Sequence, residues 1–299
     1  MTTAAEYVEP PPRQSLGRRL STFFYRHPWA TVGALVVAPL GWLVAVYLGS
    51  LFFLLLASVW DTNPFTSEVV HDYTLDNFRR IFEEDVYREV AWRTISMAAF
   101  VTVADAVLAF PIAYYLARVA SSRTRNLLVV AVLMPLWVSY LIKAYAWRTI
   151  LSDSGVVNWA LEPFGVTFDG YSSVGLWLVF TYLWLPFMIL PVYAGLERIP
   201  DSVFEASADL GGRSLRTFLR VTLPLAFPAV VAGSIFTFSL TLGDYIAPDL
   251  ITSEQFIGTV IYDQRGTNLP VAAAFTLVPI AVMIVYLLVA RRLKAFEAL

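Results

Sequence analysis

The chain has 299 residues, of which 58% are hydrophobic and 15% are charged, whereas soluble domains contain about 25% charged residues. This composition excludes an ordinary soluble domain, and a net charge of −2 offers no basic surface for nucleic acid. Cysteine is absent and only two histidines occur, which excludes disulfides, cysteine nucleophiles and thiolate metal sites. The chain is therefore predicted to be an all-α polytopic membrane protein without a metal site.

The N-terminal segment, residues 1–27, is polar and proline-rich and lacks the pattern of a cleaved signal peptide. We predict a tail that precedes the first span. A run of 33 uncharged residues follows, Pro28–Trp60, which is longer than the roughly 20 apolar residues that a bilayer requires. It predicts one uncleaved span, with Pro39 and Gly41 as possible break points and with room for an interfacial segment.

Five further apolar stretches predict a six-span domain over residues 28–290, followed by a short tail over 291–299. The predicted spans are Thr94–Ala117, Leu127–Trp147, Gly175–Leu196, Val221–Leu242 and Val271–Ala290. The second span contains Asp105, and the third contains Lys143 near its end, where a lysine can snorkel to the interface.

The distribution of lysine and arginine predicts the orientation. One side, which includes both termini, carries 14 of these residues and the other side carries six. The positive-inside rule makes the first side cytoplasmic. Both termini then lie inside, which requires an even number of spans. The outer loop 61–93 carries eight carboxylates and four arginines; it can attract cations or a basic partner, or simply be solvated.

The connector between spans 4 and 5, residues 197–220, is unusually long and charged. Asp201 or Ser202 is predicted to cap a helix, with Glu205 as the capping-box partner. The pair Gly211-Gly212 predicts a bend, and Ser214–Val221 predicts a second amphipathic helix that turns into the membrane. Such a connector suits docking onto a cytoplasmic partner; an ordinary interfacial amphipathic helix is the alternative.

The connector resembles the cytoplasmic signature of the permease subunits of ABC importers. That signature reads E-A-A, three residues, G, nine residues, I, one residue, L-P. The matching positions are Glu205, Ala206, Ser207, Gly211, Val221, Leu223 and Pro224. Serine and valine replace the third small residue and the isoleucine. The resemblance implies a type I ABC importer permease fold, in which this loop forms a coupling helix that seats in a cleft of the ATPase subunit.

Four other stretches resemble the spermidine/putrescine-type permeases, specifically the first of their two permease subunits. They cover residues 111–118, 133–158, 185–200 and 243–251. The resemblance implies a cell-membrane importer of a small polar solute, with a polyamine as the leading choice. It also implies a second homologous permease subunit, cytoplasmic ATPase subunits and an extracytoplasmic solute-binding protein.

A P-loop, G-x-x-x-x-G-K-[ST], is absent from the chain, so the chain is predicted to bind no nucleotide itself. ATP and magnesium are expected on the separate ATPase subunits. Whether the two permease subunits of the importer are identical or different stays open.

Several residues are candidates for the solute pathway. Asp105 is an ionisable group in the middle of a span, where such groups usually face a bundle interior or water; pairing with a polar neighbour is the structural alternative. Asp244 and Tyr245 combine a carboxylate with an aromatic face, which suits an ammonium group, although interfacial anchoring explains them equally well. Aromatic residues near proline-broken helices complete the candidates: Trp137, Tyr140, Tyr145 and Trp184.

Two other functions compete with the importer. An ion-coupled secondary transporter would use Asp105. An intramembrane protease is suggested by the E-E-x-x-x-R pattern of Glu83 to Arg88, but this hexapeptide falls in a predicted outer loop, and neither His27 nor His71 lies inside a predicted span. No catalytic residues are therefore assigned, and the chain is not expected to be an enzyme.

Overall fold

The computed structural model describes residues 24–63, 66 and 68–293. Most of the predicted N-terminal tail and residues 294–299 of the C-terminal tail lie outside the described residues. The chain divides into two compact units, with the boundary between Leu56 and Ala57.

From Pro28 onward, the described part of the first unit is apolar helix. Helix α1 (Pro28–Trp42) continues through a π-helical turn (Leu43–Leu48) into α2 (Gly49–Ala57). The helix passes through Pro39 without ending, so the suggested break at that residue does not occur. The stretch Trp29–Ala57 is long and apolar enough to cross a membrane, which agrees with a single first span.

The second unit begins with a short polar segment. Strands β1 (Asp61–Thr62) and β2 (Val69–Val70) pair antiparallel, and α3 (Asp76–Glu83) follows. The buried Asn77 amide of α3 donates hydrogen bonds to the carbonyls of Ser58 and Trp60, at 3.0 and 2.7 Å. These bonds hold α3 against the residues that follow α2.

The remaining helices occupy residues 85–292 of the described chain. They are α4 (Asp85–Tyr114), α5 (Ser122–Trp137), α6 (Tyr140–Ile150), α7 (Val156–Leu161), α8 (Ser173–Glu197), α9 (Asp201–Asp209), α10 (Ser214–Thr217), α11 (Leu223–Gly243), α12 (Ile246–Ile251), α13 (Ile257–Gln264), α14 (Leu269–Phe275) and α15 (Leu277–Arg292). Two π-helical turns, Tyr115–Val119 and Phe218–Thr222, extend α4 and precede α11, and a 3₁₀ turn (Glu162–Phe164) follows α7.

Three long helices, α4, α8 and α11, pack against one another and form the core. The spacing of α8 and α11 depends on small residues: a Cβ atom on Gly233 would lie 2.7 Å from Met188 Sδ, and one on Gly195 would lie 2.3 Å from Ala229 Cβ. Small residues allow transmembrane helices to approach closely. Two large buried clusters of apolar side chains fill the two ends of this three-helix core.

The third predicted span is broken. Helices α5 and α6 meet at 93°, because Val138 and Ser139 between them adopt extended backbone, with ψ of 135° and 137°. The predicted span Leu127–Trp147 is therefore formed by two helices rather than by one continuous helix. Both segments are apolar, so hydropathy alone gives no sign of the bend. Five helices of the described chain are long enough to span a membrane, or six if this bent pair counts as one.

Candidate coupling surface and solute site

Helix α9 lies in the connector where a short amphipathic helix was predicted, but its start differs from the prediction. Pro200 is the N-cap, and no side chain caps the helix. The predicted capping by Asp201 or Ser202, with Glu205 in a capping box, is therefore wrong. Asp201 is the first helical residue, and its carboxylate accepts a hydrogen bond from Arg118 at 2.8 Å. The Asp201 carboxylate thus pairs with a distant arginine instead of capping the helix.

The predicted glycine bend is confirmed, and its two glycines serve different purposes. Gly211 has φ of +73° and open space around a Cβ position, so the backbone conformation is what favours glycine. A Cβ on Gly212 would lie 2.6 Å from Ser207 O and 2.9 Å from Thr217 Oγ1. The Ser207 hydroxyl bonds that of Thr217 at 2.8 Å. The serine that departs from the E-A-A pattern thus joins α9 to α10 across the bend.

The connector exposes both polar and apolar side chains. Glu205 and Ala206 are exposed, and Leu210 is 89% exposed. Leu215 is also exposed, whereas Val221 and Leu223 are half-buried where the chain joins α11, and Pro224 lies in the first turn of that helix. We call Glu205, Ala206, Leu210 and Leu215 the connector surface. It combines one carboxylate with apolar side chains that none of the residues described by the structure covers.

Three of the predicted pathway residues come together from separate elements. The Tyr140 hydroxyl of α6 donates a hydrogen bond to Asp244 Oδ2. The Tyr140 ring stacks on Trp184 of α8, with the ring centroids 5.9 Å apart and the planes at 11°. Asp244 Oδ1 accepts from the backbone N–H groups of Ile246 and Ala247, at 2.8 and 3.2 Å. We call Tyr140, Trp184 and Asp244 the aromatic–carboxylate cluster.

The other pathway candidates lie apart from this cluster. Tyr245 stacks on Tyr262 of α13 at 4.4 Å, and the Arg265 guanidinium lies 3.3 Å from the Tyr262 ring centroid. This aromatic pair therefore already has a cation beside it, the Arg265 guanidinium of the same chain. Trp137 is 81% exposed and Tyr145 is also exposed. Neither side chain lines a cavity enclosed by the described residues.

Asp105 is fully buried within α4, and neither of its oxygens has a hydrogen-bond partner among the residues that the structure describes. It is enclosed by this chain and presents no surface to a solute.

Helices α12 and α13 were missed by the sequence analysis. They fold back into the bundle, with Ala247, Ile251 and Ile257 fully or almost fully buried. The Thr94 hydroxyl of α4 accepts a hydrogen bond from the backbone N–H of Ile257 at 2.9 Å. The only sign in the sequence is that residues 246–261 are largely apolar but too short to span a bilayer.

Arg118 was also missed as a functional residue. It ends the PIAYYLAR stretch and was counted only as a positive charge, yet its side chain is mostly covered and contacts the start of α9. No group of three or more histidine and acidic residues that could hold a metal ion occurs in the described part of the chain.

The bundle of apolar helices and the glycine-bent charged connector are the features of a multi-pass membrane permease. Residues 109–296 match the family model described as binding-protein-dependent transport system inner membrane component. The chain belongs to this family of ABC importer permeases, and these proteins are transporter subunits rather than enzymes.

Curated relatives support the same family. The chain is 45% identical to the inner membrane ABC transporter permease protein YdcU of Escherichia coli, over 99% of this chain and 100% of that protein. It is 32% identical to the spermidine/putrescine transport system permease protein PotB of Escherichia coli, over 76% of this chain and 84% of PotB.

A solved structure shares the fold. A bacterial ABC transporter involved in the import of the acidic polysaccharide alginate matches with a TM-score of 0.69 and 19% sequence identity, over 93% of this chain and 99% of that chain. At this identity the match establishes the type I permease fold.

Proposed function

We propose that α9 is the coupling helix of the importer and that the connector surface docks onto a cytoplasmic ATPase subunit. The observation that carries this proposal is the conformation of the connector: a short exposed helix, a left-handed glycine and uncovered leucines. Closure of the ATPase pair on ATP would displace α9 and tilt the core helices. The solute cavity would then switch between inward-facing and outward-facing states, and hydrolysis would reset it.

The substitution Gly211→Asp tests this docking. The tagged chain is expressed with its transporter partners and purified in detergent, and the co-purifying ATPase activity is measured. Gly165→Asp is the matched control, because Gly165 also has positive φ, +66°, and open space around a Cβ position. Both variants carry the same kind of backbone strain. We expect Gly211→Asp to lose the ATPase, and Gly165→Asp to retain it.

Two results would contradict the docking proposal. In one, no ATPase co-purifies with the wild-type chain. In the other, Gly211→Asp retains and regulates the ATPase as the wild type does. Loss of the ATPase in both glycine variants would indicate a general folding defect and would also remove the support for a specific surface.

We further propose that the transported solute is a polyamine, and that the aromatic–carboxylate cluster contacts one of its ammonium groups. Three hydrogen bonds hold the Asp244 carboxylate in place, and its remaining lone pairs are free to accept from an ammonium. The partly exposed ring of Tyr140, with Trp184 stacked against its other side, adds an aromatic surface for a cation beside the carboxylate. A carboxylate at this position disfavours an anionic solute. The name of PotB, which specifies spermidine and putrescine, supports the same class.

Uptake into proteoliposomes that contain the assembled importer tests the solute. Radiolabelled spermidine and putrescine are the probes, and Asp244→Asn is compared with Asp249→Asn, an exposed carboxylate five residues further on. We expect Asp244→Asn to reduce uptake by about tenfold or more, the effect of losing a charged hydrogen-bond partner. Asp249→Asn should leave uptake near the wild-type rate. Equal uptake by the two variants would contradict the assignment of Asp244, and no uptake of either amine by the wild type would contradict a polyamine.

The proposed assembly contains this chain, a second homologous permease subunit, two ATPase subunits that bind ATP and magnesium, and an external solute-binding protein. Both termini and α9 would face the cytoplasm, as the distribution of positive charge predicts. The aromatic–carboxylate cluster, at the opposite end of α11 from the connector, would then lie towards the outer side, where the binding protein delivers its ligand.

A further inference from the structure

Arg118 occupies an unusual position for an arginine at the end of an apolar helix. It lies in the π-helical turn Tyr115–Val119 that extends α4, and its side chain is only 14% exposed. Buried arginines are rare unless they are paired and hydrogen-bonded. The role of Arg118 can therefore be inferred from the groups that its side chain contacts.

The guanidinium of Arg118 contacts α8 and α9 together. Its NH1 group lies 2.8 Å from Asp201 Oδ1. Its NH2 group donates to the carbonyl of Leu196, at 2.5 Å, and to the carbonyl of Ile199. The guanidinium carbon also lies 4.6 Å from the ring centroid of Phe204. One side chain of α4 thus bonds the last turn of α8, the linker after it and the first turns of α9.

These contacts have a physical consequence. The last carbonyls of a helix have no partners within the helix, and they carry a partial negative charge that favours a cation. The planar fork of a guanidinium can satisfy several acceptors at fixed angles, and charge-assisted bonds are the stronger ones. The Leu196 carbonyl also accepts the backbone N–H of Ile199, at 3.3 Å. Arg118 adds to this helix end a charge-assisted bond from another helix, and the same side chain contacts α9.

A second link joins the same elements. Arg125 Nε, at the start of α5, donates to the carbonyl of Leu116 at 3.0 Å. Arg125 NH1 lies 3.7 Å from the Glu197 carboxylate, which also accepts from the Tyr193 hydroxyl at 3.0 Å. The end of α4 and the end of α8 are thus connected twice, and of these two arginines Arg118 is the one that contacts α9.

We propose that Arg118 is a positioning residue that makes the end of α4 and helix α9 move as one body, so that displacement of α9 is passed directly to the core. This proposal rests on the coupling role proposed above for α9. Most of the effect comes from the two carbonyls and from Phe204, because Asp201 is 86% exposed and exposed ion pairs contribute little.

Spin labels test whether the two elements move together. The chain contains no cysteine, so no native cysteine has to be replaced before labelling. Val119→Cys and Asp209→Cys then place one spin label at the end of α4 and one on α9. The importer is assembled with its ATPase subunits in nanodiscs, and the distance between the labels is measured without nucleotide and after trapping with ATP and vanadate. With Arg118 present, we expect one narrow distribution that is the same in both states. Arg118→Ala should broaden it and shift it between the states.

Matched variants make the result specific. Arg123→Ala removes an exposed arginine from the first turn of α5, and Asp201→Asn removes only the exposed ion pair; both should give the wild-type distribution. If Arg118→Ala fails to fold, Arg118→Lys decides, since a compact ammonium cannot reproduce the fork geometry and should also broaden the distribution.

A wild-type distribution that itself changes with nucleotide would overturn the proposal, as would an Arg118 variant that matches the wild type. Retention of the ATPase by Gly211→Asp would instead contradict the coupling role of α9, so the two failures are distinguishable.

Discussion

At the scale of single residues, Asp105 and Asp244 show how differently two carboxylates can be placed. Asp244 accepts three hydrogen bonds at the end of α11, whereas Asp105 is wholly buried in α4, and both its oxygens lack a partner among the described residues. Burying an unpaired polar group is unfavourable, and a charged one much more so. The sequence placed Asp105 inside a span, but it did not indicate that the side chain is enclosed by the chain itself.

The substitution Asp105→Asn should therefore stabilise the protein. It keeps the size of the side chain and removes the ability to ionise, so we expect the free energy of unfolding to rise by about 1–3 kcal/mol. The measurement is thermal unfolding in detergent, with the exposed Asp249→Asn as a control expected to change stability by less than about 0.5 kcal/mol. A lower melting temperature for Asp105→Asn would show that this prediction is wrong.

Transport by Asp105→Asn also separates the two transporter mechanisms. An ATP-driven importer should keep its rate of solute uptake, because Asp105 lies outside the aromatic–carboxylate cluster. If uptake is lost while stability is retained, Asp105 takes part in transport, and the ion-coupled alternative gains support.

At the scale of helices, the contact between α8 and α11 depends on the absence of side-chain atoms. Position 233 is buried against Met188, with a Cβ position 3.3 Å from the Met188 Cα as well as 2.7 Å from its sulfur. We expect Gly233→Ala to cost about 1–3 kcal/mol through overpacking. Gly243→Ala, at the open end of the same helix with no atom within 4 Å of its Cβ, should leave thermal unfolding nearly unchanged. Equal stability of the two variants would mean that the helices separate easily.

Helix α13 is held by a hydrogen bond to another helix as well as by the burial of its apolar side chains. The Thr94 hydroxyl accepts the backbone N–H of Ile257, and both groups are buried. Thr94→Val has nearly the same shape but leaves this N–H unpaired, which costs about 1–3 kcal/mol. We expect a lower melting temperature for Thr94→Val and a smaller change for Thr94→Ser, which retains the hydroxyl. An unchanged melting temperature for Thr94→Val would contradict the role of this bond.

The broken third span is decided at this same scale. Valine and serine at 138 and 139 carry no sequence signal for a bend, and α5 and α6 are both apolar. Both helices contact α8, and α6 also contacts α12; these contacts exist only in the folded chain. The bend also brings Tyr140 to Trp184 and Asp244, so the site depends on it.

At the scale of the whole molecule, the proposed orientation makes a direct prediction. Single cysteines replace two exposed aspartates, Asp72→Cys and Asp209→Cys, in a chain that otherwise has none. A membrane-impermeant maleimide applied to intact spheroplasts should label position 72, and it should reach position 209 only after lysis. The opposite pattern would place α9 outside and would remove the basis for its docking to a cytoplasmic ATPase.

The sequence by itself determined the class of the protein, the positions of the long spans and the helix–glycine–helix connector. These features depend on local properties: the length of an apolar run, the backbone freedom of glycine at 211, and motif spacing.

Only the tertiary structure decided the bend at Val138, the burial of Asp105, the aromatic–carboxylate cluster, the infolded α12 and α13, and the contacts of Arg118 with α8 and α9. Each of these depends on groups that are far apart in the chain, such as Tyr140 and Asp244 or Arg118 and Asp201. A hydrogen bond or a stacked ring pair requires a particular distance and angle between such groups, and helix packing sets both.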